Sequence, residues 1–337
     1  MALGSRRFGW GLLYGAGLLL LAWIVYQAGL DRIGQAFAAA DWWLVLAASL
    51  LFGVNELINA QRWIYLLRIE HPSASARHIL TSYLTNAFFS GLTPAKAGEA
   101  LAPLLLKKRC GLPMSFSLAV ILATRLADLA MLAILAPWVA WYLVRHVADP
   151  GSAPIGLVGA AGAVALGGLV FWWLLKRPRP DGSVDAQGTI PVWRRTMDNQ
   201  WQRFRTDLGT LLKLRYLVGL MGLTAASWSI LVIRVHCLIN AFTPVPFIDN
   251  LVCQTVSLVA ALVSMIPDGV GVTAASYAWL AAKMGHDWQA IVAAGVVGLV
   301  STHLLRLLFA LPGDLRDAAQ LRAAGDQEPD PDSAVHR

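Results

Sequence analysis

The sequence predicts an all-α polytopic membrane protein, with about six full spans and two broken or re-entrant helical hairpins in an inverted repeat. Composition is the first sign: 57% of residues are hydrophobic and 14% charged, against roughly 25% charged in an average soluble domain. The mean hydropathy is +0.57. Second, the windows 8–26, 150–175 and 216–233 carry no charge and approach or exceed the ~18 residues that cross a bilayer. Third, two segments 173 residues apart share their punctuation, Pro94-Ala95-Lys96-Ala97-Gly98-Glu99 and Pro267-Asp268-Gly269-Val270-Gly271. Each follows an uncharged stretch (79–95 and 250–267) and leads into another apolar segment. A membrane helix satisfies its own backbone, so Pro and Gly at depth leave groups open that must be buried or line a cavity. Breaks at matching places in two halves point to a transporter's binding site.

Charge sets the topology. The first apolar run follows Arg6 and Arg7 and lacks a small-x-small cleavage site, so it reads as an uncleaved span over about 8–27. The polar stretch 176–215 holds nine basic residues against four acids, which places it in the cytoplasm with the N-terminus. Pro178, Pro180 and Asp181-Gly182 mark its first part as loop. Trp193, Trp201 and Phe204 among the basic residues suggest an amphipathic helix on the membrane surface, with a solvated linker as the alternative.

The remaining elements follow in order. A short outer segment near 31–41 precedes span two (about 42–66), which returns to a basic cytoplasmic stretch with Arg62, Arg68 and Arg77. The unit broken at Pro94 has basic flanks on both sides, ending in Lys107-Lys108-Arg109, and reads as a re-entrant hairpin from the cytoplasm. Span three (about 114–144) goes out and span four (about 154–175) returns. Span five (about 216–242) goes out, the broken unit 250–283 enters from outside, and span six (about 288–311) ends inside. Each hairpin is alternatively two short spans, giving eight to ten crossings. One transmembrane domain therefore covers 1–313, with repeat halves 42–144 and 216–311, and the polar tail 314–337 is expected to be disordered. The location expected is a bacterial cytoplasmic (inner) membrane, with both termini cytoplasmic.

Ionisable groups at membrane depth are costly and usually pair or line a pathway. Glu56, Lys96, Glu99, Arg125, Asp128, Arg234, His236, Asp268, His303 and Arg306 qualify. Arg125 and Asp128 are three apart on one helix face, as are Lys96 and Glu99, so structural ion pairing competes with ligand binding for each pair. At the first break, freed amides and a helix N-terminus add positive potential suited to an anion such as phosphate. Asn55-Glu56 and Arg234 occupy comparable places in the two halves, and Asn86 precedes the first break. The two histidines read as structural, and most Trp residues as interfacial anchors.

Cys110, Cys237 and Cys253 are odd in number and far apart, indicating neither a disulfide framework nor a zinc site. No His-Glu-x-x-His, Asp-rich cluster or Gly-x-Ser-x-Gly is present, so no enzyme, metal or cofactor is expected. The net charge of +7 is the mark of cytoplasmic loops rather than of a nucleic-acid partner.

Asn86, Pro94-x-Lys96-x-Gly98-Glu99, Lys107-Lys108-Arg109 with Gly111, and Arg125-x-x-Asp128 resemble the first half of a known domain. It is the flippase-like transmembrane domain of the lysylphosphatidylglycerol synthase/flippase family. Pro267-x-Gly269-x-Gly271-Val272 resembles its second-half Pro-Gly-Gly-x-Gly motif, and Arg306 its later arginine. The resemblance covers roughly 40–312. Asp268 departs from the family's usual Gly, and Ala274 stands where a Glu commonly follows the Gly motif. Only a short tail follows the last span, so neither the soluble synthase domain nor synthesis of aminoacylated lipid is expected.

The resemblance implies translocation of a polar-headed lipid (phospho-, glyco- or isoprenoid-type) between leaflets. The substrate-binding candidates are Asn86, Pro94, Lys96, Gly98, Glu99, Arg125, Asp128, Arg234, Pro267, Asp268, Gly269, Gly271 and Arg306. Lys96, Arg125 and Arg234 would attract a phosphate, and Glu99 or Asp268 would meet a cationic head or a coupling proton. The alternative is a non-transporting scaffold or accessory subunit of a lipid-modifying or cell-envelope glycan pathway, favoured by Ala274. Expected partners are the lipid substrate and the bilayer, with a homo-oligomer or an envelope-pathway enzyme as further candidates.

Overall fold

A computed structural model describes residues 2–91, 93, 98–147, 192–264, 266 and 269–325, with side chains described from 15 to 310 outside 192–199. Span four, the first part of the basic loop, Pro94, Lys96, Pro267, Asp268 and the last twelve residues lie outside them. Every regular element among the described residues is helical.

Helix α1 (Ala2–Ala28) ends at Gly29. The chain then turns through 82° into α2 (Leu30–Ala39). The short segment near 31–41, for which no secondary structure was expected, is an amphipathic helix whose Ile33 and Phe37 pack inward. Asp41 caps α3 (Trp42–Glu70), its carboxylate accepting from the Trp43 amide at 2.9 Å. Such a cap satisfies one of the amides that the first turn leaves open.

Helices α4 (Ala76–Gly91) and α5 (Leu101–Cys110) form the first broken unit. At 16 and 10 residues, neither reaches the length of a span. α5 stops where Gly111 takes a left-handed conformation, after Lys107, Lys108 and Arg109 in the last turn, where cations favour the helix dipole. Helix α6 (Met114–His146) follows.

After the undescribed stretch come α7 (Val192–Leu211) and α8 (Leu214–Asn240). α7 packs on α6, burying Leu208 and Leu211 completely. Residues 192–211 are thus a docked helix and not a linker. Helices α9 (Phe247–Ser264) and α10 (Val272–Lys283) make the second broken unit. Helix α11 runs over Trp288–Gly325, continuing past 314 where the tail was expected to begin.

Among the described residues, five helices are long and apolar enough to cross a membrane: α3, α6, α8, α9 and the Trp288–Ala310 part of α11, with the bent α1–α2 pair as a sixth. Leu46, Leu50, Ile134 and Leu308 present apolar surface outward, as lipid-facing positions do. The protein is a multi-pass membrane protein. α9 is long enough to span by itself, so the second broken unit differs from the first, whose two arms are both short.

Two apolar cores lie at opposite ends of the bundle. Trp63, Ile79, Leu106, Phe116 and Leu220 join the end of α3, the α4–α5 unit and the starts of α6 and α8. Val45, Val139, Ile239, Cys253 and Leu280 join the start of α3 to the ends of α6 and α8 and to the α9–α10 unit. The open ends of the two broken units therefore meet opposite ends of α6, a helix about 50 Å long at 1.5 Å per residue. Between the cores, α3, α6 and α8 carry Asn55, Glu56, Arg62, Arg125, Asp128, Ser227 and Arg234.

Candidate functional site

The polar layer begins with α6. Arg125 and Asp128 stand one turn apart, and Arg125 Nη1 donates to Asp128 Oδ2 at 3.3 Å. Arg125 also grips Glu99 at the start of α5: Nη2 meets Oε1, and Nε meets Oε2 at 3.2 Å. The fork matches both carboxylate oxygens, the geometry in which a guanidinium binds most strongly. Its side chain keeps 44% of its surface exposed, against 17% for Glu99.

Glu99 is positioned by the break. Gly98 comes so close to the end of α4 that a Cβ on it would lie 2.6 Å from the Phe89 carbonyl oxygen. Its amide donates to Thr93 Oγ1 at 2.6 Å. Thr93 in turn donates to the Phe89 carbonyl at 3.1 Å. The glycine is required by this backbone approach, which places Glu99 opposite Arg125.

Arg62 extends the network to α3. It was expected in a cytoplasmic stretch; the structure corrects this, because α3 continues to Glu70 and Arg62 is 4% exposed. Its Nη2 donates to Asp128 Oδ1 at 2.9 Å and to the Thr124 carbonyl at 2.8 Å, and Nη1 to Asn59 Oδ1 at 2.9 Å. Trp228 Nε1 adds a long contact to Asp128 Oδ1 at 3.4 Å. Ser227 of α8 donates to Asn55 and Asn59.

A second charged group adjoins the first. Glu56 is 4% exposed. Its Oε2 accepts from Tyr83 of α4 at 2.7 Å, and Oε1 lies 3.5 Å from Arg306 Nε on α11. The Tyr83 ring also packs edge-on against Trp63, with centroids 5.2 Å apart. Arg234 of α8 donates to Thr302 Oγ1 at 2.5 Å. The Arg234 and Arg306 guanidiniums lie 4.7 and 5.8 Å from the Phe52 ring centroid, within cation–π range.

Asn86 is 3% exposed and its Oδ1 has no hydrogen-bond partner. It sits one turn beyond Tyr83 toward the break. Among the sequence-predicted residues, Glu99, Arg125 and Asp128 are thus joined directly, and Arg306 pairs with Glu56 in the second group.

Gly269 and Gly271 lie elsewhere, at the second break, both with positive φ. A Cβ on Gly271 would come 2.6 Å from the Gly17 carbonyl, so α1 crosses directly over this break. Beside it, α1, α10 and the start of α11 enclose an apolar groove of about 710 Å³, walled by Leu20, Trp23, Trp279 and Trp288 with Gln27 and Ser276. Ala274, where the resemblance expected Glu, packs against α11: its Cβ lies 3.2 Å from where Gly295 would carry one.

Arg62 and Tyr83 had no place among the predicted site residues. A signal existed for Arg62, six residues after Glu56 in one long apolar segment. For Tyr83 none existed, since its role depends on which way α4 faces.

Among the described residues, the arrangement pairs Glu56, Arg62, Glu99, Arg125 and Asp128, and leaves Arg125 half-exposed and the buried Asn86 Oδ1 and Arg62 Nε without a hydrogen bond. No curated protein matches the chain. The profile of the family described as lysylphosphatidylglycerol synthase TM region matches residues 9–309, taking in the described charged network and both breaks. The chain therefore belongs to the lysylphosphatidylglycerol synthase TM region family.

Proposed function

We propose that the chain is a flippase-like transporter that carries the head group of a lipid between leaflets while the tail stays in the apolar phase. The observation that carries this reading is the Glu99–Arg125–Asp128–Arg62 network at a helix break. Each ionisable group at a bilayer centre costs about 2.5–3.5 kcal/mol on insertion scales. A chain that only needed to fold would lose little by replacing such a network with apolar residues. The half-exposed Arg125 is suited to a phosphate. The apolar groove beside the second break is suited to a hydrocarbon tail. The reading of an inverted repeat draws support from the two broken units opening at opposite ends of α6.

The test uses the full chain in vesicles with an acyl-labelled lipid. Glu99→Gln and Arg125→Gln are expected to abolish crossing while the proteins still express and purify. Crossing that survives both changes would remove the site from these residues.

A second reading, a non-transporting membrane scaffold for a lipid-modifying or glycan-assembly enzyme, is favoured by Ala274. The second half replaces a charge by a small residue packed on Gly295. It predicts stable co-purification with an enzyme and no crossing by the purified chain alone.

A further inference from the structure

We propose that Asp249 latches the second broken unit shut. Its carboxylate ties the start of α9 to the end of α6 and to the turn between α10 and α11, and the seam along α6 opens when those bonds are traded for water. The inference rests on the transport reading, in which the open end of each broken unit must part in turn, and it names the contact that governs one of them.

Local structure aims the three partners at one another. Asp249 lies in the first turn of α9, where a carboxylate favours the helix dipole. Helix α10 ends at Lys283, and Gly285 then takes a left-handed conformation with φ 86°, which glycine adopts without strain. The His286 amide donates back to the Ala281 carbonyl at 2.9 Å, and His286 Nε2 lies 2.8 Å from Asp249 Oδ2. An ionised carboxylate only accepts, so this nitrogen carries the proton. From α6, the Tyr142 hydroxyl donates to Asp249 Oδ1 at 2.6 Å. The His146 ring stacks on Tyr142, with centroids 4.2 Å apart.

The contrast with the next residue shows which seam parts at least cost. Asn250 is fully buried. Its Nδ2 donates to the Val232 carbonyl of α8 at 3.4 Å, and its Oδ1 accepts from Tyr277 of α10 at 2.7 Å. Breaking those bonds strands polar atoms away from water. Helices α8, α9 and α10 are therefore pinned together from within. The Asp249 and His286 side chains each keep 16% of their surface exposed, so water can take over their bonds as the helices separate. The boundary between α6 and the pinned group is thus the one that yields.

Beneath the latch lies Cys253, one turn further along α9. It is completely buried, with its Sγ 3.9 Å from Met284 Sδ. A polar thiol reagent reaches it when the seam parts, so its reactivity reports the open population.

The experiment measures how fast a polar maleimide modifies Cys253 in the full chain held in lipid nanodiscs. Mass spectrometry reads each site separately, and Cys110, packed against the core at the opposite end, is the control. Tyr142→Phe keeps the ring and removes one hydroxyl; His286→Gln removes the imidazole. Each is expected to raise the Cys253 rate about tenfold, the worth of one hydrogen bond to a charged group, and the two together about a hundredfold. Cys110 should keep its rate throughout.

An unchanged Cys253 rate in the double variant overturns the proposal. An equal rise at Cys110 also overturns it, because the contact would then serve overall stability and not one seam. Crossing of an acyl-labelled lipid, measured in vesicles with the same proteins, separates the two readings. If the unaltered chain moves no lipid, the transport reading fails, while the ratio of the Cys253 and Cys110 rates still decides the latch.

Discussion

Arg62 and Asp128, 66 residues apart, form an ion pair at 2.9 Å that ties α3 to α6 inside the bundle. The Arg62 guanidinium also reaches Asn59 and the Thr124 carbonyl, so one residue holds three acceptors on two helices. Removing Asp128 leaves Arg62 without a carboxylate, whereas removing Arg62 leaves Asp128 with Arg125 as its cation. Arg62→Ala is expected to lower stability by about 1–3 kcal/mol, the cost of buried acceptors left unsatisfied. Arg62→Lys should recover only part of this, since a point charge cannot span the three acceptors. Denaturation in detergent micelles measures both.

Glu56, Tyr83 and Arg306 act as one unit across α3, α4 and α11. Glu56→Leu alone is expected to cost about 3–5 kcal/mol by leaving Arg306 without its carboxylate. The double change Glu56→Leu with Arg306→Leu should cost less than the two single losses added together. A double-mutant cycle on unfolding midpoints gives the coupling directly, and additivity would mean that the contact contributes nothing.

Gly98→Ala places a methyl 2.6 Å from the Phe89 carbonyl, against backbone that cannot rotate away. The tip of the first broken unit must open, at a cost of about 1–3 kcal/mol. Glu99 should then shift from Arg125, so crossing is expected to fall more steeply than stability. Gly271→Ala is expected to loosen α1 instead, because its new methyl meets the Gly17 carbonyl. Protease susceptibility of the N-terminal helix separates the two effects.

Ala274→Glu tests whether the second half can regain a charge. Ala274 packs against Gly295, so a larger side chain must push α10 away from α11. A loss of about 1–3 kcal/mol is expected. A stable Ala274→Glu protein would show that the α10–α11 contact accepts the charge.

On the docked helix α7, burial raises the Asp207 carboxyl above its ordinary range, while the Ser115 hydroxyl, Arg203 and His71 offset part of the shift. An acid whose folded value is raised favours the fold below its unfolded value, and that contribution is lost as pH rises through the folded value. Docking of α7 should therefore weaken as pH rises from the ordinary carboxyl range through the raised Asp207 value, and change no further above it. Asp207→Asn should flatten this dependence, read by hydrogen exchange in α7.

The spans were legible because hydropathy is a local property. Spans two, three, five and six were placed at 42–66, 114–144, 216–242 and 288–311, and the helices found are Trp42–Glu70, Met114–His146, Leu214–Asn240 and the apolar part of α11 to Ala310. The neighbour pair Arg125–Asp128 was legible for the same reason, since three residues apart means one helix face. α2 and α7 were harder: short amphipathic helices resemble loops until something covers their apolar face.

What the sequence alone determined is that this chain crosses a membrane several times, breaks its helices at two matching places, and carries charges it must neutralise. The tertiary structure decided which charge meets which. Arg62 turned inward, Tyr83 met Glu56, Gly98 proved to serve a backbone approach, and Ala274 proved to be a packing contact. Those choices depend on the rotation and closeness of helices far apart in the chain, which a one-dimensional hydrophobic pattern does not encode. Pairing of a buried charge is energetically compulsory, but the partner is chosen in three dimensions.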